Sequence, residues 1–142
     1  MRSAQSIRGP LPNSFLVVLA AACAALRPAS GRAALNTTYA EAEPKRAEID
    51  QLTGATLVEF GSPWCGYCRA AQPLIAEALA AHTGIRHLKI ADASGRRLGR
   101  SFGVKLWPTL VFLRDGKEVA RLVRPRDTGA IRDAIAQINA RQ

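Results

Sequence analysis

Four short segments of the chain have patterns that are typical of β-strands. Runs of apolar side chains occur in 55–60 (ATLVEF), 86–91 (RHLKIA) and 109–113 (TLVFL). In 117–123, polar and apolar side chains alternate. The last two segments flank Arg114-Asp115-Gly116, whose residue types favour a tight turn. The pattern therefore predicts two separate strands followed by an antiparallel hairpin.

Four other segments have the composition or spacing of helices. The first two are 39–51, which is rich in Ala and Glu, and 64–82, which has apolar residues at helical spacing. The third is a short helix that starts at Ser94 or Gly95 and ends at residue 102. The fourth starts near Asp127 and Thr128, which can cap it. Pro73 should kink the second helix. The predicted order is αβαβαββα, an α/β fold in which a right-handed crossover joins parallel strands and the hairpin adds antiparallel ones.

The first 34 residues differ from the rest of the chain. Arg2 and Arg8 precede an apolar stretch at 15–26 and the small residues PASG, which is the pattern of a secretory signal. The stretch is short for a membrane-spanning helix. LAAAC, which ends at Cys23, also resembles a lipoprotein processing site, where Cys23 would be lipidated. We therefore expect a leader at 1–34, a single domain at 35–142 and export to the periplasm or an equivalent compartment, with membrane attachment only through a lipid or an uncleaved N-terminal anchor.

The positive net charge of the chain raises the question of a nucleic-acid partner. The chain carries a formal charge of +9, to which four arginines of the leader contribute. Basic residues also recur in 96–126, but no aromatic platform or nucleic-acid-binding motif accompanies them. We interpret them as a solvated basic face with weak steering of acidic partners, and we expect no nucleic-acid partner.

Two cysteines carry most of the chemical information. Cys65 and Cys68 lie in WCGYC, directly after the strand 55–60, where the strand passes into a helix. Such a pair can close into a disulfide or open to two thiols, and a helix N-terminus favours the thiolate. The spacing and its context favour thiol–disulfide exchange, for which the two sulfurs carry the electrons and no cofactor is needed.

Two other interpretations of the cysteine pair stay open. A zinc site would need about four ligands, and the further candidates are Cys23, His82 and His87, which are not at zinc-finger spacing. A purely structural disulfide is the second alternative. We expect the cysteine pair to act in thiol–disulfide exchange and to bind no metal.

Three segments, taken in order, resemble the thioredoxin-fold oxidoreductases. They are VEFGSPWCGYC at 58–68, Pro73 five residues after Cys68, and FGVKLWPTLVFLRDG at 102–116. The resemblance extends over nearly all of residues 39–140. It implies a central mixed β-sheet flanked by helices, with the dithiol at the first core helix and a cis-proline loop at Pro108 facing it.

The resemblance and the chemistry of thiols assign roles to the motif. Cys65 should attack a substrate disulfide as a thiolate and form a mixed disulfide, which Cys68 should then resolve. Gly66 and Tyr67 should set the stability of the reduced form and are also expected to contact the substrate. Trp64 is expected to line the substrate surface or to serve in packing only.

Glu59 is an acid on a strand face that should otherwise be apolar. In the family pattern it lies buried behind the inner cysteine, where burial would raise its pKa and let it exchange a proton with Cys68, directly or through water. The alternative is an exposed acid on a two-faced strand.

Pro108 follows Trp107, and a cis bond there would place the Trp107 backbone beside the dithiol for pairing with an extended substrate. The alternative is an ordinary trans turn proline. Trp107 itself is expected to line the substrate surface or only to pack.

Several departures from thioredoxin proper limit the functional prediction. The dipeptide is Gly66-Tyr67 rather than Gly-Pro, Gly61 replaces a common aromatic residue, and Arg124-Pro125 stands where a glycine turn is usual. We expect a monomeric, exported reductase or isomerase of protein disulfides with a membrane or soluble redox partner. The alternatives are a redox-inert binding or chaperone module, and a thiol donor for cytochrome or metal-centre assembly.

Overall fold

The computed structural model of the chain describes residues 35–93 and 96–140. Its elements in chain order are α1 (Arg46–Asp50), β1 (Ala55–Gly61), α2 (Gly66–Ala80), β2 (Arg86–Ala91), α3 (Arg97–Ser101), β3 (Thr109–Arg114), β4 (Lys117–Val123) and α4 (Thr128–Asn139). The predicted order of elements is confirmed. The predicted leader, Cys23 and the residues Ser94 and Gly95 lie outside the described residues.

The four strands form one mixed sheet in the order β2-β1-β3-β4. β1 pairs in parallel with β2 and antiparallel with β3, and β3 and β4 form the predicted hairpin. The turn between them has positive φ at Asp115 and Gly116, a conformation that glycine adopts without steric cost. The expected α/β thioredoxin fold, with helices on both sides of a mixed sheet, is confirmed.

Each face of the sheet packs against its own helices. Leu57 and Phe112 belong to a buried apolar cluster that includes residues of α2 and α4, whereas Val58 and Phe60 belong to a second cluster with residues of α1 and α3. Because side chains alternate along a strand, Glu59 points to the same face as Leu57, towards α2. This alternation brings a carboxyl group under the helix that carries the cysteines.

The prediction of a helix over 39–51 was wrong for its first half. Only Arg46–Asp50 is helical, and Ala40 instead forms a parallel bridge with Ile90 at the outer edge of β2. Pro44 explains the difference, since a proline inside a helix lacks the required N–H and disfavours helical geometry in the residue before it. The segment 35–44 therefore runs along the sheet edge and brings Tyr39 towards the dithiol.

The cysteine-bearing helix begins two residues later than predicted. Cys65 is its N-cap, with extended backbone geometry, and helical residues start at Gly66. Pro73 lies inside this helix. Within 35–93 and 96–140, none of the helices is both long enough and apolar enough to cross a bilayer.

Candidate active site

Cys65 occupies the position where the backbone of α2 can stabilise a negative charge. Its Sγ accepts a hydrogen bond of 3.2 Å from the N–H of Cys68 and lies 3.9 Å from the Trp107 carbonyl oxygen. Both cysteines are free thiols, Cys65 partly exposed and Cys68 buried. An N-cap sulfur that faces free N–H groups is well placed to react as a thiolate.

Cys68 has a different environment, one turn further into α2. Burial raises the pKa of its thiol to about 11, and the neighbouring Cys65 also raises it, whereas hydrogen bonds from the Ser62 backbone and from Tyr39 lower it. In the reduced protein Cys68 is therefore a neutral thiol at neutral pH.

The loop before β3 faces the dithiol. The Trp107–Pro108 bond is cis, as expected from the sequence. The Trp107 indole donates a 2.8 Å hydrogen bond to Asp92, and its carbonyl oxygen accepts a 3.0 Å bond from the guanidinium of Arg124. Asp92 in turn fills the space above Gly99. The backbone of Trp107 thus lies beside Cys65, in the place that the resemblance implies.

Two exposed aromatic residues flank Cys65 along the chain. Trp64 is 87% exposed and Tyr67 is 54% exposed. The Arg124 guanidinium lies 4.0 Å from the centre of the Tyr67 ring, so this one side chain contacts both Tyr67 and the Trp107 carbonyl. A β-carbon at Gly66 would meet nothing within 4 Å, so the surface next to Cys65 is open there.

Glu59 is fully buried and makes hydrogen bonds through both carboxylate oxygens. Oε1 accepts from the Tyr39 hydroxyl at 2.7 Å and from the Gln72 amide at 2.7 Å, and Oε2 lies 3.0 Å from His87 Nε2. The backbone N–H of Asn36 donates to His87 Nδ1 at 3.0 Å, so Nε2 carries the hydrogen that points at Glu59.

Lys89 completes this buried group. Its Nζ lies 3.9 Å from Glu59 Oε1, donates to the Gln72 side-chain oxygen at 2.5 Å, and lies 4.4 Å from the centre of the Tyr39 ring. Lys89 is opposite Glu59 in the parallel register of β1 and β2. A buried ammonium and a buried carboxylate therefore compensate each other across the strand pair.

The expectation that the pKa of Glu59 is raised was wrong. Burial alone would raise it, but the hydrogen bonds from His87 and Tyr39 and the charge of Lys89 outweigh burial, and the pKa of Glu59 is lowered. The carboxylate form is thus favoured at neutral pH. Its predicted burial, by contrast, is confirmed.

The structure adds Tyr39, Gln72, His87, Lys89 and Arg124 to the residues expected from the sequence. A signal existed for two of them, since His87 and Lys89 alternate along 86–91 onto the face that Glu59 occupies. Gln72 follows Cys68 by one helical turn and donates to its carbonyl oxygen at 3.1 Å. In the part of the chain that the structure describes, no cluster of three His, Cys, Asp or Glu side chains could hold a metal ion.

Known thioredoxins are similar to this chain in sequence and in structure. The family model of thioredoxin matches residues 36–137. The structure of reduced thioredoxin 2 from Pseudomonas aeruginosa is similar with a TM-score of 0.66 and 55% identity, over 73% of this chain and 96% of that chain. The thioredoxin of Chlamydia muridarum is 39% identical over 80 residues, which cover 56% of this chain and 78% of that protein.

Longer proteins match over part of their length only. Chicken protein disulfide-isomerase is 39% identical over 82 residues, which are 55% of this chain but 15% of that protein. The chain likewise spans 26% of the TPR repeat-containing thioredoxin of Arabidopsis thaliana. These relatives therefore contain large regions that have no counterpart in the match.

Proposed function

The chain belongs to the thioredoxin family, and from this premise we propose that it is an exported, monomeric thiol–disulfide oxidoreductase that reduces or isomerises protein disulfides through Cys65 and Cys68. One observation supports this proposal above the others. The partly exposed sulfur of Cys65, at the N-cap of α2, lies one helical turn from the buried thiol of Cys68. The backbone N–H of Cys68 donates a 3.2 Å hydrogen bond to Cys65 Sγ. This is the arrangement that a two-step exchange requires.

The first step uses the exposed sulfur. The Cys65 thiolate attacks one sulfur of a substrate disulfide, a new S–S bond forms, and the second substrate sulfur leaves with the electron pair and takes up a proton. The Trp107 backbone, next to Cys65, offers an edge for an extended substrate segment. Trp64 and Tyr67 supply exposed aromatic surface for its side chains.

The second step uses the buried sulfur. Cys68 loses its proton and attacks Cys65, which closes the Cys65–Cys68 disulfide and releases the substrate as a thiol. Cys65 raises the pKa of Cys68 in the free enzyme, and both of its contributions end once Cys65 is bound in the mixed disulfide. Cys68 therefore becomes more acidic at the stage where its thiolate is needed, and the ionised Glu59 is available as the final proton acceptor.

Reduction and isomerisation are separated by direct assays. The domain 35–142 would be tested for insulin reduction and for refolding of a scrambled disulfide protein, with its Cys65–Cys68 couple titrated against glutathione. Rapid insulin reduction with weak refolding activity supports a reductase, and the opposite result supports an isomerase. Cys65→Ser is the matched control, and full activity in that variant would contradict the exchange mechanism and favour a binding or chaperone module.

Two further experiments address partner and location. Cys68→Ser would trap mixed disulfides, and capture of cytochrome or metal-centre assembly proteins alone would favour a dedicated thiol donor. Mass spectrometry of the protein from its native cell would find the mature N-terminus: cleavage near residue 34 supports a secretory leader, a diacylated Cys23 supports a lipid anchor, and an intact Met1 in the cytoplasm contradicts export.

A further inference from the structure

We propose that Tyr39 is a proton relay between Cys68 and Glu59, and that the missing side chain of Gly61 is what allows its hydroxyl to reach this position. The proposal deepens the proposed function, on which it rests, because it concerns the resolving step of the same dithiol. Tyr39 comes from the segment before α1, which forms no part of the WCGYC helix or the cis-proline loop.

The hydroxyl of Tyr39 lies between the two groups that must exchange a proton. It donates to Glu59 Oε1 at 2.7 Å. A β-carbon placed on Gly61 would lie 2.5 Å from the Tyr39 oxygen and 2.8 Å from Cys68 Sγ. The phenol oxygen and the thiol therefore border the same small space, which is open only because residue 61 is glycine.

The hydrogen-bonding capacity of a phenol fits a relay. While Cys68 is a neutral thiol, the single O–H of Tyr39 is directed at Glu59 and its oxygen lone pairs are free to accept from that thiol. After the proton transfer the O–H can donate to the Cys68 thiolate instead, which is the sense in which Tyr39 lowers the pKa of Cys68. Burial and the adjacent Glu59 carboxylate raise the pKa of Tyr39. The residue consequently stays a neutral phenol that can accept one proton as it gives up another.

The carboxylate has no shorter route to the thiol among the contacts of residues 35–93 and 96–140. Oε1 of Glu59 is directed at Tyr39 and Gln72, and Oε2 at His87. Gln72 reaches the Cys68 carbonyl rather than its sulfur. Tyr39 is thus the one hydrogen-bond partner of Glu59, among these residues, whose polar atom borders the same space as the sulfur of Cys68.

The relay step balances without an added reactant. The Cys68 proton passes to the Tyr39 oxygen while the Tyr39 proton passes to Glu59, so the phenol ends neutral, the carboxyl is protonated and Cys68 is a thiolate. That thiolate attacks Cys65 in the mixed disulfide, and the electron pair leaves on the substrate sulfur. Lys89 and His87 hold Glu59 in its ionised form between cycles, and a cleft of about 440 Å³ lined by Thr38, Tyr39 and Cys68, among others, gives water access to return the proton.

The segment that carries Tyr39 is fixed independently of the dithiol. The Ala40 N–H donates to the Lys89 carbonyl at 2.8 Å, and the Ala91 N–H donates to the Ala40 carbonyl at 3.1 Å. The Tyr39 ring also lies against the Lys89 ammonium. Tyr39→Phe should therefore keep the ring in place and remove only the hydroxyl.

A two-phase exchange reaction tests the relay. Reduced protein in which Cys23 is replaced by serine is mixed with excess 5,5′-dithiobis(2-nitrobenzoate) in a stopped-flow instrument, where attack by Cys65 releases one coloured thiolate and resolution by Cys68 releases the second. For Tyr39→Phe we expect an unchanged first phase, a second phase slowed about tenfold near neutral pH, and a second-phase pH profile displaced to higher pH. The exposed Thr53, which does not line this cleft, provides the matched control, and Thr53→Val should leave both phases unchanged.

Two more variants make the test specific. Gly61→Ala keeps the hydroxyl, but its β-carbon would crowd both the Tyr39 oxygen and Cys68 Sγ, so it should slow the second phase at least as much as Tyr39→Phe does. Tyr39→Phe combined with Glu59→Gln should be no slower than Glu59→Gln alone, because the two residues act in series. An unchanged second phase in Tyr39→Phe, or equal slowing of both phases, would overturn the relay, whereas a wild-type protein that produces neither phase would contradict the proposed function instead.

Should Tyr39→Phe fold poorly, the same contact can be measured in another way. In a Cys65→Ser background, alkylation of Cys68 as a function of pH reports its pKa, which Tyr39 lowers. Gly61→Ala in this background should raise that pKa. An identical titration curve with alanine at position 61 would count against any contact between the hydroxyl and the thiol.

Discussion

Cys65 and Cys68 lie within one turn of α2, yet different kinds of interaction surround them. The outer side comprises Cys65, Trp64, Tyr67, Trp107 and Arg124. There the sulfur lies next to backbone groups, and the Trp64 and Tyr67 side chains are exposed. On the inner side, which comprises Cys68, Tyr39, Glu59, Gln72, His87 and Lys89, the sulfur borders a buried, fully hydrogen-bonded group of side chains.

This difference divides the chemistry by step. The outer side must accept many substrates, and backbone groups with exposed rings place few demands on a partner's sequence. The inner side performs one internal proton transfer and can be held rigidly by paired charges and hydrogen bonds. Substitutions on the outer side should therefore change substrate binding and attack, and those on the inner side should change resolution.

Exchanging each cysteine for serine gives the largest expected effect. Cys65→Ser should abolish substrate attack, and Cys68→Ser should attack normally but stall as a mixed disulfide, so both lower insulin reduction by at least about 10³-fold. Non-reducing gels with a model disulfide peptide distinguish the two variants. Accumulation of an adduct on Cys68 in Cys65→Ser would break the assigned order of the two sulfurs.

Glu59→Gln should have the next largest effect, confined to the inner side. The amide keeps the shape but cannot accept the relayed proton, so resolution should slow by about 10- to 100-fold while attack by Cys65 stays within about twofold. The two-phase stopped-flow reaction measures both rates on one sample. Unchanged resolution across the pH range would show that the buried acid has no part in this step.

The inner side should also determine part of the acid stability. The pKa of Glu59 is lowered in the folded state, where it faces Tyr39, His87 and Lys89. A carboxyl with a lowered folded pKa stabilises the fold above its unfolded pKa, and this contribution is lost as pH falls through the folded value. The free energy of unfolding of wild type should consequently fall more steeply than that of Glu59→Gln as the pH drops below the unfolded pKa of glutamate, about 4.3. Urea titrations at several pH values test this, and parallel curves would contradict it.

The outer side was largely predictable from the sequence, and the inner side was only partly so. WCGYC, Trp107 and Pro108 are local signals, because cysteine spacing and a proline before a strand can be recognised within a few residues. Glu59 was also recognisable, as an acid in an apolar strand. Its partners come from β2, α2 and the segment at Tyr39, so its lowered pKa depends on long-range contacts that the run ATLVEF does not contain.

Tyr39 shows why such contacts are missed. The Ala- and Glu-rich composition of 39–51 favours a helix, and helix propensity is a weak signal that one proline overrides. Pro44 ends the helical geometry, and the bridge between Ala40 and Ile90 then fixes the segment along β2. The register of that bridge, set by backbone pairing with a distant strand, decides that the Tyr39 ring faces the dithiol.

Replacing Arg124, on the outer side, should have the smallest effect of these substitutions. Its guanidinium contacts the Tyr67 ring at 4.0 Å and donates to the Trp107 carbonyl at 3.0 Å, so it ties the WCGYC helix to the cis-proline loop on the outer side. Its own φ is positive, at 50°, where glycine is the residue without strain. Arg124→Gly should therefore relieve the backbone while removing both contacts, and we expect KM for a peptide disulfide to rise about two- to fivefold with little change in resolution. Arg132→Gly would destabilise α4, because glycine in a helix loses more backbone entropy. Arg121→Gln on β4, which is partly exposed and pairs with Glu118, is therefore the control and should leave KM unchanged. A slower resolution phase in Arg124→Gly would mean that the two sides of the dithiol are coupled through the cis-proline loop. Attack and resolution could then no longer be assigned to separate sides.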